Sequence, residues 1–444
     1  MLSRILMGKM DQEHLDNAAT SRTTRASSIS QSFIGSPLNG ETVLLVHPAW
    51  HSCGSHQVFV SQARAYRSLG ARVLTLAIAD APGATENSRA HKTYAAATQD
   101  LEAEARFYSG MPLFSVLNPD FLRSAWRWLH GDFAAILVES AKFAPIPAGL
   151  ASTPQIDLIH CNHFFCMPAA MRLRDRHGCP VLLDTHDLQA RQYALRNEAG
   201  WSLPPTARFE DMLEIELAAL RQADVLLHLN DEEEVSFKLL LPGKRHELTY
   251  PAVAPVATGP GGSDIIIVAS ANYANYLGIV WFLEEVLPLA PGVEVKIIGN
   301  IDGEFRARNP SLLKQHARLF QGRIADLDAA YAKAAAILLP TTQGHGISIK
   351  TIEAMSSGAP LIATQHAFRG LGLDPAQLKN VALAADAPSF AAALRRADAV
   401  RRLPPVDRQN ADTRRIYEKF FAFDAYRAAL AELAASVAKP RQSI

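Results

Sequence analysis

The sequence predicts an α/β protein built from two doubly wound domains, each a parallel sheet with helices on its faces. Three observations carry this. Short buried runs alternate with helical periodicity in both halves, with TVLLVHP opening one series and DIIIVAS the other. In the first half a strand, a glycine-bearing loop, a helix and a second strand follow one another, which is the repeating unit of such a sheet. Between the halves lies PAVAPVATGPGGS, rich in Pro, Gly and small residues, which reads as a linker over residues 251–263.

Taken in order, residues 1–40 are polar, rich in Ser, Thr and Asn, and lack sustained periodicity, so they read as a disordered lead-in. The first domain spans 41–250. Its opening strand is Thr42 to Pro48, marked by an unbroken apolar run and a Pro stop. A helix from about Gln57 to Leu69 and the strand ARVLTLAI come next. The stretch from Asp80 to Pro154 departs from the rhythm and shows helical patches at Asp100 to Phe107 and Phe121 to Leu129. Strand and helix signals then return as IDLIHCN, a helix near Pro168 to His177, PVLLDTHD, an acidic amphipathic helix over Phe209 to Arg221, ADVLLHLN and a helix from Asp231. The second domain, 264–410, carries four buried runs, DIIIVAS, EVKIIGN, AAILLP and PLIAT, and so a second parallel sheet. Residues 411–444 are helical between Thr413 and Leu433 and carry Tyr417, Phe420, Phe421, Phe423 and Tyr426.

Composition narrows the function classes. The chain has 444 residues, enough for two ordinary domains and a tail. Its 44 Lys and Arg balance 44 Asp and Glu, so no electrostatic argument favours nucleic acid. Two basic clusters stand out, Arg123 and Arg127 around Trp126 and Trp128, and Arg172, Arg174 and Arg176 with His177. Each reads as a solvated helix face or as a contact for anionic lipid or a lipid-linked acceptor. The four cysteines, Cys53, Cys161, Cys166 and Cys179, form no CxxC and lack zinc spacing, which fits free thiols in a reducing compartment. His47, His51 and His56 lack the acidic companions a metal site needs, and no metal is expected. No leader-like apolar core opens the chain and no run is long enough to span a bilayer. The expectation is a cytoplasmic protein, soluble or peripherally attached at the inner face of a membrane.

The most informative stretch is Ala335 to Leu371, AAAILLPTTQGHGISIKTIEAMSSGAPLIATQHAFRGL: a strand, a Gly-rich turn, a short helix, a strand and another glycine turn. Unpaired N–H groups and the positive end of a helix dipole make an anion site at a helix start. Gly344 and Gly346 let a diphosphate approach the main chain. Lys350 and Glu353 are three apart and share one helical face. A cation for phosphate beside a carboxylate for sugar hydroxyls suits a nucleotide-sugar.

GHGISIKTIEAMSSGAPLIAT resembles the donor-site signature of the group 1 (family 4) glycosyltransferases, with Lys350, Glu353, Ala354, Met355, Gly358 and Pro360 on the pattern. The resemblance runs from about Ser263 to Leu373 and is looser in the first half. It implies the GT-B fold, two Rossmann-like domains facing a central cleft. The first domain would then face the acceptor, the second would hold the donor, and the terminal helices would cross back to the first. It implies a hexosyltransferase-type enzyme for polysaccharide or glycolipid biosynthesis, retaining and metal-independent. Its co-substrate would be a nucleoside-diphosphate-sugar donor, with no further cofactor. Glu353 matches the ribose-binding glutamate, whereas the family's other glutamate, eight residues earlier, is here His345. The loop Gly344, His345, Gly346 and Ile347 would lie against the donor, and Gly370 would approach its phosphate.

Other candidates keep two readings each. Gly54 and Ser55 precede a helix and match a family glycine loop only in part, beside Cys53. His160 and His163 end one strand, and His186 and Asp187 end the next, as site residues or as hydrogen-bonded core groups. The resemblance has a histidine of this domain contact the transferred sugar, and His163, Asp187 and Lys350 are the catalytic candidates. Asn275 reads as a helix cap or a diphosphate contact, and Gly299 as a turn or a close approach to base or ribose. The competing functions are a glycosyltransferase-like binding subunit without turnover, which the His345 replacement motivates, and a GT-B sugar-nucleotide epimerase. A dinucleotide oxidoreductase is disfavoured, because neither half shows a strand followed by GxGxxG.

Overall fold

The computed structural model describes residues 37–51, 54–79, 81–131, 143–198, 206–401 and 407–437. These fall into two units, one running to Pro251 and resuming at Tyr426, the other Ala252–Ala425. Most of the expected lead-in, and Cys53, lie outside the described residues.

The first unit contains β1 (Thr42–Pro48), α1 (Gly54–Ser68), β2 (Arg72–Ile78), α2 (Arg89–Ala97), β3 (Ala105–Ser109) and α3 (Pro119–Leu129). It continues with β4 (Leu158–Asn162), α4 (Met167–His177), β5 (Val181–Asp184), α5 (Gln189–Glu198), α6 (Phe209–Leu220), β6 (Val225–His228), α7 (Asp231–Leu240) and β7 (Arg245–Leu248). The seven strands pair in the order β3-β2-β1-β4-β5-β6-β7, all parallel. Helices on both faces bury β1, β4 and β5 completely, which is why β1 and β5 open as apolar runs, while β4 also buries His160 and Asn162. Contrary to the helix expected over Asp100 to Phe107, Ala105–Ser109 is an edge strand beside β2. Only Tyr108 and Ser109 of it are buried, so it never presents an apolar run.

The second unit contains β8 (Asp264–Val268), α8 (Tyr273–Trp281), β9 (Lys296–Ile298), α9 (Asp302–Arg308), α10 (Pro310–Gln315), β10 (Phe320–Gly322) and α11 (Leu327–Lys333). After these come β11 (Ala334–Leu339), α12 (Ile349–Ser356), β12 (Leu361–Thr364), β13 (Val381–Ala384), α13 (Ala387–Val400) and α14 (Asp412–Phe420). Its six parallel strands run β10-β9-β8-β11-β12-β13, two more than the four apolar runs suggested. The sequence thus predicts the class correctly: two doubly wound parallel sheets. The Pro251 to Ser263 segment has no regular structure and lies along the second unit. Val256 N–H donates to Ser356 Oγ at 3.0 Å and Ala257 N–H to Asp328 Oδ1 at 2.9 Å.

The helical signal from Thr413 to Leu433 resolves into α14 and α15 (Phe423–Val437), broken at Phe421. There the Phe421 carbonyl accepts from Val253 N–H at 2.9 Å, and the Tyr417 hydroxyl donates to Val253 O at 2.7 Å. Tyr417 and Phe421 are buried in the second unit, whereas Tyr426 is buried in the first.

One packing device fixes the turn after α12. The buried Arg408 guanidinium donates to the carbonyls of Tyr331 (3.1 Å), Ala332 (3.4 Å) and Ala334. Its own carbonyl lies where a Cβ on Gly358 would sit, at 2.1 Å, and Gly358 is left-handed with φ 67°. Gly358→Ala should therefore cost at least about 2 kcal/mol, from backbone strain and the clash. The check is the urea midpoint of unfolding followed by circular dichroism.

Candidate active site

Each sheet has a point where the chain reverses its direction of strand addition, between β1 and β4 in one unit and between β8 and β11 in the other. Loops leaving the strand ends on either side diverge there and leave a crevice, the usual ligand position in doubly wound sheets. Both groups of candidate residues fall at these places.

In the second unit, a small cavity of about 30 Å³ is lined by Asn275 and Gly278 after β8, and by Thr341, Ser348 and Lys350 after β11. The loop between β11 and α12 carries Gly344 and Gly346 at φ 129° and 65°, conformations that favour glycine. A Cβ on Gly344 would meet the Arg369 guanidinium at 2.9 Å, and His366 Nε2 lies 3.1 Å from Gly344 O. The two glycine turns therefore lie side by side, with Gly370 left-handed in the second at φ 73°. The helix begins at Ile349, later than Gly346, because Ser348 caps it and accepts from Thr351 N–H at 3.4 Å. His345 is exposed on the loop, and Ile347 is half-buried.

Lys350 Nζ donates to Glu353 Oε2 at 2.6 Å, and Tyr331 OH donates to the same oxygen at 3.3 Å. The pair is part-exposed at 30% and 18%, so both groups remain within reach of a ligand. Tyr331 is a contributor that sequence reasoning missed, since it lies in α11 and meets Glu353 only through folding. Asn275 is held locally: its N–H donates to Asn272 Oδ1 at 2.8 Å and its amide to Ser270 O at 3.0 Å. Gly299, at φ 123°, is needed for packing, because a Cβ there would stand 1.9 Å from Ala269 O.

In the first unit, a cavity of about 500 Å³ is lined by Trp50, His51, Ser55, His163, Asp187 and Gln192, among others. Ser55, His163 and Asp187 are thus brought together. Gly54 stands beside them as the first residue of α1, with open space where a Cβ would be. His163 Nε2 lies 3.4 Å from Ser55 Oγ, and its ring stacks on that of His186 at 4.0 Å and 8°. Both histidines have positive φ, 64° and 56°, a strained backbone that clusters at functional sites. His186 therefore belongs with Asp187 and His163 among the site residues. The signal available was its place in THDL, directly after β5.

A buried polar network supports these two residues. His186 Nε2 lies 2.9 Å from Asn162 Oδ1, and His186 N–H donates to Asp184 Oδ1 at 3.2 Å. Gln62 bridges Asn162 and Asp184, and Tyr66 OH lies 2.9 Å from His160 Nδ1. Glu216 accepts from Gln189 and Ala190 N–H and Glu233 from Leu188 N–H, fixing the loop that carries Asp187. Burial pushes Asp184 and Glu216 up to about 7. Burial also lowers His47 to about 4 and His160 and His163 to about 3, so these imidazoles are neutral at physiological pH. Among the described residues no group of three His, Cys, Asp or Glu is arranged to hold a metal ion.

Comparison with known proteins agrees in both units. Residues 262–397 match the model of the glycosyl transferases group 1, and residues 54–238 match the glycosyl transferase 4-like domain. Sucrose-phosphate synthase from Thermosynechococcus elongatus superposes with a TM-score of 0.59 and 18% identity, over 89% of this chain and 98% of that one. Anabaena HepE in complex with UDP gives 0.58 and 14%, over 89% and 100%. A glycosyltransferase from Rickettsia africae gives 0.53 and 14%, over 91% and 100%. At such identities these likenesses establish the fold, which is GT-B. No curated protein sequence is similar enough to count as a match.

The Asp184 carboxyl yields a pH prediction. With its folded pKa raised from 3.8 to about 7, it contributes stability that is present below the ordinary carboxylate range and lost as pH rises toward 7. The neutral histidines act oppositely, losing their contribution as pH falls below about 6.5. Asp184→Asn removes only the first dependence. Its unfolding free energy relative to the parent should improve by ~2 kcal/mol or more between about pH 4 and 7. Urea titrations across that range check this, and a constant difference would mean that Asp184 is ionised throughout.

Proposed function

The chain belongs to the group 1, family-4-like glycosyltransferases, and from that premise we propose a specific division of labour for sugar transfer from a nucleoside diphosphate donor. The donor is held in the second unit. Lys350 and the N–H groups at the start of α12 take the diphosphate, the 344–347 loop lies against it, and Glu353 accepts from the ribose hydroxyls. The observation that carries this reading is the Lys350–Glu353 pair, 2.6 Å apart at the β8/β11 switch point, beside a glycine loop and a capped helix start. A diphosphate would compete with Glu353 for the ammonium and leave the carboxylate for the ribose. HepE structures hold UDP and, in another crystal, UDP-glucose, which makes a uridine donor the first to test.

In the transfer, the bond from the anomeric carbon to the diphosphate oxygen breaks and one to an acceptor oxygen forms, while the proton of the acceptor hydroxyl passes to the departing diphosphate. Charge accumulates on the departing diphosphate, where a fixed cation and backbone donors stabilise the transition state most, without a divalent metal. In the first unit we assign the neutral His163, with His186 behind it, to the hydroxyls of the transferred sugar, and Asp187 to sugar or acceptor. Asn275 and Gly299 act by shaping the donor loop, and Gly54, Ser55 and Gly370 by close backbone approach. The acceptor is a carbohydrate or lipid-linked molecule. Buried cysteines outside any disulfide, Cys161, Cys166 and Cys179, favour a cytoplasmic setting, with retention of anomeric configuration expected from the family. A second reading, donor binding without turnover, is motivated by His345 in the place of a glutamate.

Lys350→Ala should weaken nucleoside diphosphate binding by roughly tenfold or more, the scale of a lost charge-assisted hydrogen bond. Glu353→Gln, which keeps an acceptor for Tyr331, should weaken the nucleoside diphosphate but spare inorganic pyrophosphate. Calorimetric titration in excess chelator reads both. Unchanged affinity in two folded variants would remove the site from this loop.

A further inference from the structure

We propose that α3 and the turn before it form a docking surface for a bilayer carrying anionic headgroups. Six large apolar side chains stand in water here: Phe114 is 84% exposed, Leu117 69%, Leu113 and Trp126 61%, Leu129 59% and Leu122 53%. Leu113–Leu117 is a short 3-10 helix of five residues, and Asn118 ends it while capping α3 through Asp120 N–H at 2.8 Å.

The exposed set is not excess core. α3 already has an inward face: Ser124 is buried, Phe121 meets the Phe143 ring edge-on at 5.8 Å, and Trp128 packs on Ala190, Ala207 and Met212. Leu122, Trp126 and Leu129 are spaced i, i+4 and i+7, so they form a separate stripe on a helix of 3.6 residues per turn. Arg123 and Arg127 project at its side, between the stripe and the inward face. Arg123 meets Asp120 at 3.3 Å, with side chains 69% and 71% exposed, and a pair that exposed is worth little and yields readily to a phosphate.

An apolar stripe with a central Trp and arginines along one side is the pattern of a helix lying in a membrane interface, its apolar side at the acyl boundary and its cations at the headgroups. No described helix is long and apolar enough to cross a membrane, so the attachment is to one surface. The place matters as well. α3 follows the carboxyl end of β3, and Trp128 packs on Ala190, three residues beyond Asp187. The stripe therefore lies on the same edge of the sheet as the cavity with Ser55, His163 and Asp187. That edge would face the headgroup of a lipid-linked acceptor, a link that rests on the proposed acceptor class, whereas the docking itself does not.

The test is co-sedimentation of the full chain with phosphatidylcholine vesicles, with and without phosphatidylglycerol, at low and high salt. Binding should favour the anionic vesicles and weaken with salt. The double variant Leu122→Ser, Trp126→Ser should bind roughly tenfold or more weakly, as apolar area leaves the interface. The double variant Arg123→Gln, Arg127→Gln should lose the anionic preference and the salt dependence. Both changes are on exposed positions, and an unaltered unfolding midpoint confirms the fold. Absence of vesicle binding, or equal binding by all three proteins, overturns the proposal. So does self-association abolished by the Leu122, Trp126 change, which would assign the face to a second copy. No nucleotide enters the assay, so its outcome is independent of the donor site.

Discussion

Every strand in both sheets runs parallel to its neighbours, and that constraint organises the chemistry of this protein. A parallel sheet must be covered on both faces, so the sheet interior is given over to apolar packing. Polar function is confined to the carboxyl ends, and the order β3-β2-β1-β4 in one unit and β10-β9-β8-β11 in the other opens a crevice at one point of each edge. Ser55, His163 and Asp187 occupy the first of these, and Asn275, Ser348 and Lys350 the second. The same rule explains why α3, which follows β3, shares an edge with the first group.

The two crevices are built differently. In the first unit the groups are buried and the backbone is strained: His163 and His186 hold positive φ while Asp184 holds both main-chain N–H groups and Asn162, itself bonded to Gln62, fixes the His186 ring. Such strain persists only where the surroundings over-determine it, and Glu216 and Glu233 tie down the amides of Leu188, Gln189 and Ala190 just beyond. In the second unit the groups are part-exposed, and the strained positions are taken by glycines, which adopt them without cost to side-chain sterics. One arrangement presents rigid, neutral hydrogen-bonding groups. The other presents a part-exposed, ion-paired cation beside an open main chain, which suits a diphosphate.

Much of this was legible in the chain. Strands in the sheet centres announce themselves by apolar runs, whereas β3, β7, β10 and β13 do not. They are the four edge strands of the two sheets, three to five residues long with mixed exposure, and β3 could be misread as helix for that reason. Lys350 and Glu353 were legible because a helical spacing of three sets their contact locally. Contacts made by folding were not: Tyr331 reaches Glu353 across 22 residues, and His366 reaches Gly344 across another 22. The stacking of His163 on His186 was hidden for the same reason. It follows from the pairing of Asn162 with Asp184 across β4 and β5, a register that the separate strands do not announce.

On the function proposed above, this GT-B protein turns over a nucleoside-diphosphate-sugar at the Lys350–Glu353 loop. The most direct measurement is release of nucleoside diphosphate from a panel of nucleotide-sugars, followed by mass spectrometry in the presence of chelator. One donor should be consumed without divalent metal, by transfer or slow hydrolysis, and consumption should vanish in Lys350→Ala. If a donor binds but none is ever consumed, with carbohydrate and lipid-linked acceptors supplied, the chain is a binding subunit and the catalytic account is wrong.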